Sequence, residues 1–238
     1  MTGKLYGLGV GPGDPELMTL KAVRILKECD VIAVPGRVPG ETTAFKIAEG
    51  ACPEIAGKPA IGVHMPMTKD KKVLEESHRE GVRILRALLD EGKNTAFLTL
   101  GDPTVYSTYM YLHREIRNAG YETEIVSGVP SFCAAAAKIP MSIGEKEEQI
   151  HIIPASYHIE EALDLPGTKI LMKAGKKLPS VKQILKERKA EVILVENCGM
   201  ERERIVSGAE QIPEDAGYYT LLFVKEKEGG DRDDPRQR

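Results

Sequence analysis

Three loops in the sequence combine glycine with side chains that could bind or transform a small molecule. They read GLGVGPGD over residues 7–14, GDP over residues 101–103 and SGVPSF over residues 127–132, and each follows a short apolar run. Glycine lets another group approach the backbone closely. Ligands of open α/β sheets bind beyond the carboxyl ends of the strands. The three loops therefore predict a small-molecule site at one edge of such a sheet.

The loop around Asp102 is the most specific of the three. Gly101 removes side-chain bulk at the end of a strand, Pro103 fixes the backbone, and the Asp102 carboxylate suits a cationic group such as an α-ammonium. The alternative is an ordinary turn in which Asp102 caps the local backbone. In the third loop, Ser131 is likewise a candidate either for binding a ligand or for capping the helix that follows.

The opening glycine loop does not match the dinucleotide-binding fingerprint. In the pattern G-x-G-x-x-G, the third glycine position is occupied by Pro12 in one register and by Asp14 in the other. A nicotinamide-dependent dehydrogenase is therefore a distant alternative. The remaining interpretations are a tight connection between a strand and a helix, or a loop that approaches a different ligand.

A fourth group of polar residues follows a later apolar run at residues 196–199. Glu196 is a candidate base, a candidate acceptor for a ribose hydroxyl, or a solvated side chain. Cys198 has no partner in the sequence that would activate it, so a nucleophilic role is not expected.

Short apolar strands alternate with amphipathic helices, a pattern typical of α/β proteins. The last two strands have no helix between them and are expected to be antiparallel. Gly120 ends a helix, so we predict one α/β domain over residues 1–119, a second with a mixed sheet over residues 120–227, and a disordered polar tail over residues 228–238. Strands are predicted at residues 4–9, 31–34, 60–63, 94–100, 122–126, 149–153, 169–173, 191–196, 203–206 and 218–224, and helices from residue 14, at 42–48, at 69–91, after residue 103, at 131–138 and at 180–188.

The composition excludes several classes of protein. The 238 residues carry a formal net charge of −3 without a lysine- or arginine-rich run, which argues against a nucleic-acid partner. No apolar stretch reaches the ~18 residues of a membrane-spanning helix. The four cysteines and five histidines are scattered without metal-binding spacing, so no metal site is predicted. The cysteines are expected to be reduced, in the cytoplasm.

Three longer segments together resemble the tetrapyrrole (corrin/porphyrin) methylase family. They are GVGPGDPELMTLKAVRIL at residues 9–26, PMTKD at residues 66–70 and TLGDPTVYSTYMYL at residues 99–112. The last two resemble the branch that methylates carbon 20 of precorrin-2 or cobalt-factor II in cobalamin biosynthesis. The resemblance spans residues 4–225 and implies two α/β domains with S-adenosylmethionine (SAM) in the cleft between them, a tetrapyrrole substrate and a homodimer.

The resemblance also implies roles for individual residues. The loop of Gly11, Pro12, Gly13 and Asp14 is expected to face the tetrapyrrole, whose carboxylates call for basic residues, with Arg37 and Lys71 as candidates. Asp102, Tyr106 and Glu196 are candidate acceptors for the proton that carbon 20 loses. The residues expected to contact SAM are Gly101, Asp102, Pro103, Val105, Tyr106, Ser131, Phe132, Met172, Lys173, Ala174, Asn197, Cys198, Thr220 and Leu221.

One loop departs from the family pattern, in which a leading proline and two hydroxyl residues often follow the fifth strand. Residues 127–131 lack that proline and one hydroxyl, which leaves Ser131 as the only hydroxyl donor at the end of this loop. Two alternatives to the carbon-20 activity stay open. One is another methylase of the same fold that acts on a different ring carbon, a diphthamide precursor or ribosomal RNA. The other is a non-catalytic module that binds SAM or a tetrapyrrole.

Overall fold

The computed structural model describes residues 1–155, 159–174 and 177–225. The predicted tail over residues 228–238 lies outside these ranges. The chain divides into two compact units, Met1–Ser131 and Phe132–Arg238. No helix among the described residues is long and apolar enough to cross a membrane.

The first unit contains one sheet of five strands that all run parallel. Its spatial order is β3-β2-β4-β1-β5, so the loops that follow all five strands leave from the same edge. The strands are β1 (Leu5–Gly9), β2 (Val31–Pro35), β3 (Ala60–Val63), β4 (Thr95–Thr99) and β5 (Thr123–Val126).

Helices cover both faces of this sheet. Helices α1 (Leu20–Glu28) and α2 (Thr43–Ala51) pack on one face, and α3 (Lys71–Asp90) and α4 (Tyr109–Asn118) pack on the other. Burial on both faces explains why the strands read as continuous apolar runs rather than as alternating ones. Short 3₁₀ turns lie at Pro15–Leu17, Pro39–Glu41 and Pro53–Gly57.

The first helix begins later than the sequence indicated. Asp14 does cap a turn, because its carboxylate accepts a hydrogen bond from the backbone N–H of Glu16, but that turn is only the 3₁₀ segment Pro15–Leu17. A second cap, the Thr19 hydroxyl bonded to the N–H of Ala22, starts α1. The Asp14–Pro15 pair is the stronger local signal for the start of a helix, so the sequence predicts a start that is too early.

The second unit contains a mixed sheet in the order β6-β7-β10-β8-β9. The first two of its strands are parallel, while β10 runs antiparallel to both β7 and β8, and β9 runs antiparallel to β8. The last two strands, expected to be antiparallel, are each antiparallel to β8, which lies between them, so β9 and β10 run in the same direction. The strands are β6 (Ile150–Pro154), β7 (Thr168–Met172), β8 (Glu191–Glu196), β9 (Arg204–Ser207) and β10 (Thr220–Lys225), with helices α5 (Ser131–Lys138) and α6 (Leu178–Glu187) and 3₁₀ turns at Ala162–Asp164 and Ala209–Gln211.

The division between the units differs from the predicted boundary at residues 119 and 120. Gly120 does follow the end of α4, but strand β5 then pairs with β1 and becomes the edge of the first sheet. The first unit therefore extends to Ser131. The glycine marks the end of a helix, and only the long-range strand pairing shows to which unit the next strand belongs.

Candidate functional site

The chain connections diverge at the carboxyl edge of the first sheet, on both sides of β4, and the crevice is defined here as the space between them. The chain leaves β4 toward α4 on one face, whereas it leaves the neighbouring strands β1 and β2 toward α1 and α2 on the opposite face. Divergence of this kind is the topological switch point at which open α/β sheets bind their ligands. The loop at residues 101–103 lies at this point because it directly follows β4.

Backbone contacts hold two of the glycine loops together at the crevice. The N–H of Gly11 donates to the carbonyl of Gly101 at 3.3 Å, and the N–H of Gly101 donates to the carbonyl of Gly11 at 2.7 Å. Gly101 has φ +70°, a conformation that residues with a Cβ rarely adopt. The loops after β1 and β4 are therefore joined by main-chain atoms rather than by side chains.

The third loop joins the same contact through Gly9 and Gly128. A Cβ on Gly9 would lie 2.5 Å from the backbone nitrogen of Gly128, and a Cβ on Gly128 would lie 2.1 Å from the carbonyl oxygen of Gly101. No side chain fits at either position without moving the backbone. The three loops predicted from the sequence do converge, at the carboxyl ends of the three adjacent strands β4, β1 and β5.

Asp102 is buried and fastens these loops to one another. One carboxylate oxygen accepts hydrogen bonds from the backbone N–H of Thr104 at 2.7 Å and from its hydroxyl at 2.5 Å. The other oxygen accepts the backbone N–H of Gly128 at 3.0 Å. Because protein donors already occupy both oxygens, the geometry favours a positioning role for Asp102 over that of a proton acceptor.

The residues after Asp102 form an extended loop before helix α4. Pro103 is buried, Val105 is half-buried and donates its N–H to the carbonyl of Asp102 at 3.2 Å, and Tyr106 is 47% exposed with φ +48°. The helix itself begins only at Tyr109. The sequence predicted a helix directly after residue 103, and the structure places Val105 in this loop instead.

The other candidates in the first unit lie along the same edge. Gly11, Pro12 and Gly13 are buried in the loop after β1. Arg37 is exposed two residues after β2, and Lys71 is exposed as the first residue of α3. Their exposed positions allow both cations to reach an anionic ligand at this edge.

The two candidates at the start of α5 lie where one unit ends and the next begins. Ser131 is the last residue of the first unit and Phe132 the first of the second, and both are half-buried.

In the second unit, the strand register brings the remaining candidates to one edge of the mixed sheet. Met172 at the end of β7 pairs with Leu221, and Glu196 at the end of β8 pairs with Thr220. The antiparallel direction of β10 is what places its first residues beside the last residues of its neighbours. The candidates gathered at this edge are Met172, Lys173, Ala174, Asn197, Cys198, Thr220 and Leu221.

Two residues at this edge have left-handed backbone conformations. Lys173 has φ +57° and Asn197 has φ +52°, each directly after a strand. Burial lowers the pKa of the Lys173 ammonium. The N–H of Asn197 donates to the carbonyl of Tyr219 at 3.0 Å, which ties the end of β8 to the segment before β10. Such strained positions are concentrated at binding sites in proteins.

The buried Glu196 is engaged in an ion pair that the sequence did not reveal. Arg204 donates to one of its oxygens through Nε at 2.9 Å and through a terminal nitrogen at 2.6 Å, and the other oxygen accepts the N–H of Gly217. Glu196 raises the pKa of the Arg204 guanidinium, with burial opposing. Arg204 also contacts Asp215 at 3.1 Å. These partners give Glu196 a structural role and disfavour it as the proton acceptor.

Within the described ranges, no group of three or more His, Cys, Asp or Glu side chains is placed to hold a metal ion. Cys198 is buried at the second edge. The structure adds residues that the sequence did not indicate, namely Gly128 as the partner of Asp102 and Arg204 as the partner of Glu196. Gly128 lies 26 residues from Asp102, and Arg204 lies eight residues from Glu196 on the neighbouring strand, so both pairings follow from the fold rather than from a sequence motif.

Comparison with known proteins identifies the family. A family model of tetrapyrrole (corrin/porphyrin) methylases matches residues 4–212. The chain belongs to this family. It is 36% identical to a probable cobalt-precorrin-2 C(20)-methyltransferase of Methanocaldococcus jannaschii, over 93% of this chain and 96% of the relative. It is 27% identical to a precorrin-2 C(20)-methyltransferase of Sinorhizobium sp, over 93% of this chain and 95% of the relative.

A solved structure shows that this methylase has the fold expected of the family. A uroporphyrin-III C-methyltransferase of Thermus thermophilus, complexed with S-adenyl homocysteine, superposes with a TM-score of 0.71 at 22% identity. The alignment covers 94% of this chain and 98% of that structure. The predicted fold class of two α/β domains and the resemblance to this family are both confirmed.

Proposed function

We propose that this methylase transfers the methyl group of SAM to carbon 20 of precorrin-2 or its cobalt complex, in cobalamin biosynthesis. The observation that carries the proposal is the 36% identity to a probable cobalt-precorrin-2 C(20)-methyltransferase over nearly the whole of both chains. The crevice at the carboxyl end of β4 supports it, because the three glycine loops converge there.

SAM supplies a methyl group that its sulfonium already activates. The protein therefore has mainly to bind and orient the two reactants and to exclude water. Good orientation lowers the activation barrier by roughly 7–11 kcal/mol relative to free reactants. The backbone contacts between Gly11 and Gly101, together with the Asp102 hydrogen bonds, hold the crevice in one geometry. Rigid placement of this kind is what a transfer between two bound reactants requires.

The surface around the crevice suits a large ring that is apolar on its faces and carries carboxylates at its rim. Four large apolar side chains are exposed on segments that follow the first four strands: Leu20 at 91%, Val38 at 51%, Met67 at 83% and Tyr106 at 47%. Exposed apolar groups gathered at one edge indicate a binding surface. The exposed cations Arg37 and Lys71 lie at the same edge and suit the ring carboxylates.

We assign the methionine part of SAM to the loop at residues 101–106, with Ser131 and Phe132 beside it. The adenosine part is assigned to the edge of the second unit formed by Met172 and its neighbours. Support for the second assignment is that the strand register gathers all seven candidates at that edge. Of the three candidate proton acceptors, Asp102 and Glu196 are disfavoured because protein donors engage their carboxylates, and Tyr106 is the third candidate.

The cobalt complex is the first substrate to offer, because the relative at 36% identity is named for cobalt-precorrin-2 and the relative at 27% is named for precorrin-2. A homodimer in the cytoplasm is the expected state of the enzyme. Sedimentation of the purified protein tests the dimer.

The decisive experiment is an anaerobic turnover assay read by mass spectrometry. Purified protein and SAM are offered cobalt-factor II and precorrin-2 in parallel, and NMR of the product locates the new methyl group. A gain of one methyl at carbon 20 supports the proposal. SAM binding without methylation of either ring overturns it and favours a sister activity or a binding module.

A further inference from the structure

The side chain of Thr99 carries an unsatisfied hydrogen-bonding group. Its Oγ1 is buried and has no hydrogen-bond partner, and within the described ranges it is the only buried side-chain oxygen or nitrogen in this condition. The residue as a whole is 8% exposed. A buried polar group without a partner destabilises a folded protein, and in a native structure it calls for a specific explanation.

Thr99 occupies a particular place in the fold. It is the last residue of β4, immediately before the loop at residues 100–103, and it pairs in register with Gly9 on β1. On its other side, the register between β2 and β4 ends at Ala33 and Phe97, two residues before Thr99. The unpartnered hydroxyl therefore lies where the strands diverge and the crevice opens.

The main-chain groups around Thr99 are already engaged. Its own carbonyl accepts the N–H of Val10, and the Gly11 and Gly101 peptides bond to each other. Asp102 is occupied by Thr104 and Gly128. A ligand in the crevice would thus meet the Thr99 hydroxyl as an unused donor, and Arg37 and Lys71 give the same edge exposed positive charge.

We propose that the Thr99 hydroxyl donates a hydrogen bond to a carboxylate of a ligand bound in the crevice at the end of β4. The inference rests on the proposed function, in which both reactants carry carboxylates, namely the methionine end of SAM and the side chains of the tetrapyrrole. A hydroxyl bonded to a carboxylate makes a short, charge-assisted hydrogen bond. Thr99 is therefore a positioning residue. Its hydroxyl destabilises the free protein, where it has no partner, and stabilises the complex, where it bonds to the ligand.

The test compares three variants of the full-length chain. Thr99→Val removes the hydroxyl and keeps the shape, and Thr99→Ser keeps the hydroxyl. Thr95→Val is the matched control, because Thr95 lies on the same face at the opposite end of the same strand, and its hydroxyl bonds to the carbonyl of Lys93 at 3.3 Å. The measurements are thermal stability, the Kd of S-adenosylhomocysteine by calorimetry, and the KM and kcat for the tetrapyrrole.

The expected result separates function from structure. Thr99→Val should melt at or above the wild-type temperature, because removing an unsatisfied buried hydroxyl costs nothing. It should nevertheless weaken carboxylate binding about tenfold, as expected for the loss of a hydrogen bond to a charged group. Thr99→Ser should bind as the wild type does, and Thr95→Val should bind normally while melting at a lower temperature.

The two binding measurements identify the source of the carboxylate. A weaker Kd for S-adenosylhomocysteine assigns the bond to the methionine carboxylate, and a raised KM for the ring with an unchanged Kd assigns it to the tetrapyrrole. Wild-type affinity for both in Thr99→Val overturns the proposal, and so does a loss of stability equal to that of Thr95→Val. A wild-type protein that neither binds S-adenosylhomocysteine nor methylates a ring overturns the proposed function first, and this inference with it.

Discussion

Replacing Asp102 with alanine tests whether this carboxylate fastens the crevice or takes part in proton transfer. In the folded protein it accepts hydrogen bonds from the N–H of Gly128 and from the N–H and hydroxyl of Thr104. Thr104 is exposed, so water can replace its lost partner. Gly128 is buried, and its N–H would be left unsatisfied at a cost of about 1–3 kcal/mol.

This cost corresponds to a fall in melting temperature of roughly 2–12 °C for a chain of this size. Activity should fall further than stability, because the loops after β4 and β5 lose their only side-chain link at Gly128 within the described contacts. Misplacement by about 1 Å at a transfer site reduces the rate about 100-fold. The assay measures kcat/KM across a pH range on protein shown to be folded at the assay temperature.

Asp30→Ala is the matched control for this experiment. Its carboxylate also accepts a backbone N–H, that of Asn94 at 2.8 Å, but it lies beyond the amino ends of the strands. We expect a small loss of stability and normal turnover. If Asp102→Asn instead kept the wild-type melting temperature and abolished one limb of the pH profile, Asp102 would be a proton acceptor and the positioning role would be refuted.

Three further predictions concern groups outside the crevice. Glu196→Ala should lower the free energy of unfolding in urea by roughly 1–2 kcal/mol, because the hydrogen bonds of the carboxylate are lost. The pH profile of its turnover should keep the wild-type shape, and loss of one limb would show that Glu196 acts as a base. Burial lowers the pKa of His113, so the unfolded chain, with a pKa near 6.5, binds the proton first and stability should decline as the pH falls through about 6.5. His113→Gln should remove most of that decline in urea titrations, and an unchanged slope would contradict this account. Gly7→Ala should destabilise the first unit by about 1–3 kcal/mol, because the new Cβ would lie 1.9 Å from the Tyr109 ring; a double-mutant cycle with Tyr109→Leu should show strong coupling, and additivity would argue against the clash.

The sequence was sufficient for most of the secondary structure because the strands are short apolar runs ended by glycine or proline. The predicted strand at residues 60–63 and the helix at residues 131–138 agree with β3 and α5. The start of α1 was predicted wrongly, since Asp14 and Pro15 form a valid cap for a turn that stops after three residues. Local chemistry identifies a cap, but packing decides whether the helix continues.

Contacts between strands were not accessible to the same reasoning. Glu196 was interpreted as a base, a ribose acceptor or a solvated residue, and the structure buries it against Arg204 across the β8–β9 pair. The placement of β5 in the first sheet likewise depends on its pairing with β1, more than 100 residues away in sequence. Both outcomes are set by strand register, which a single sequence does not specify.

The crevice also explains why the glycines do not form one known fingerprint. Gly9 and Gly128 are required because no Cβ fits between the converging loops, while Gly101 has room for a side chain, its nearest neighbour being the Ser131 nitrogen at 3.9 Å, but adopts φ +70°. Two of the glycines are thus required by the lack of space for a Cβ, and the third is required by its backbone conformation. Their spacing along the chain follows from which strands are neighbours in the sheet rather than from one continuous motif. A pattern confined to the first loop could detect only a part of a site that three separate loops build together.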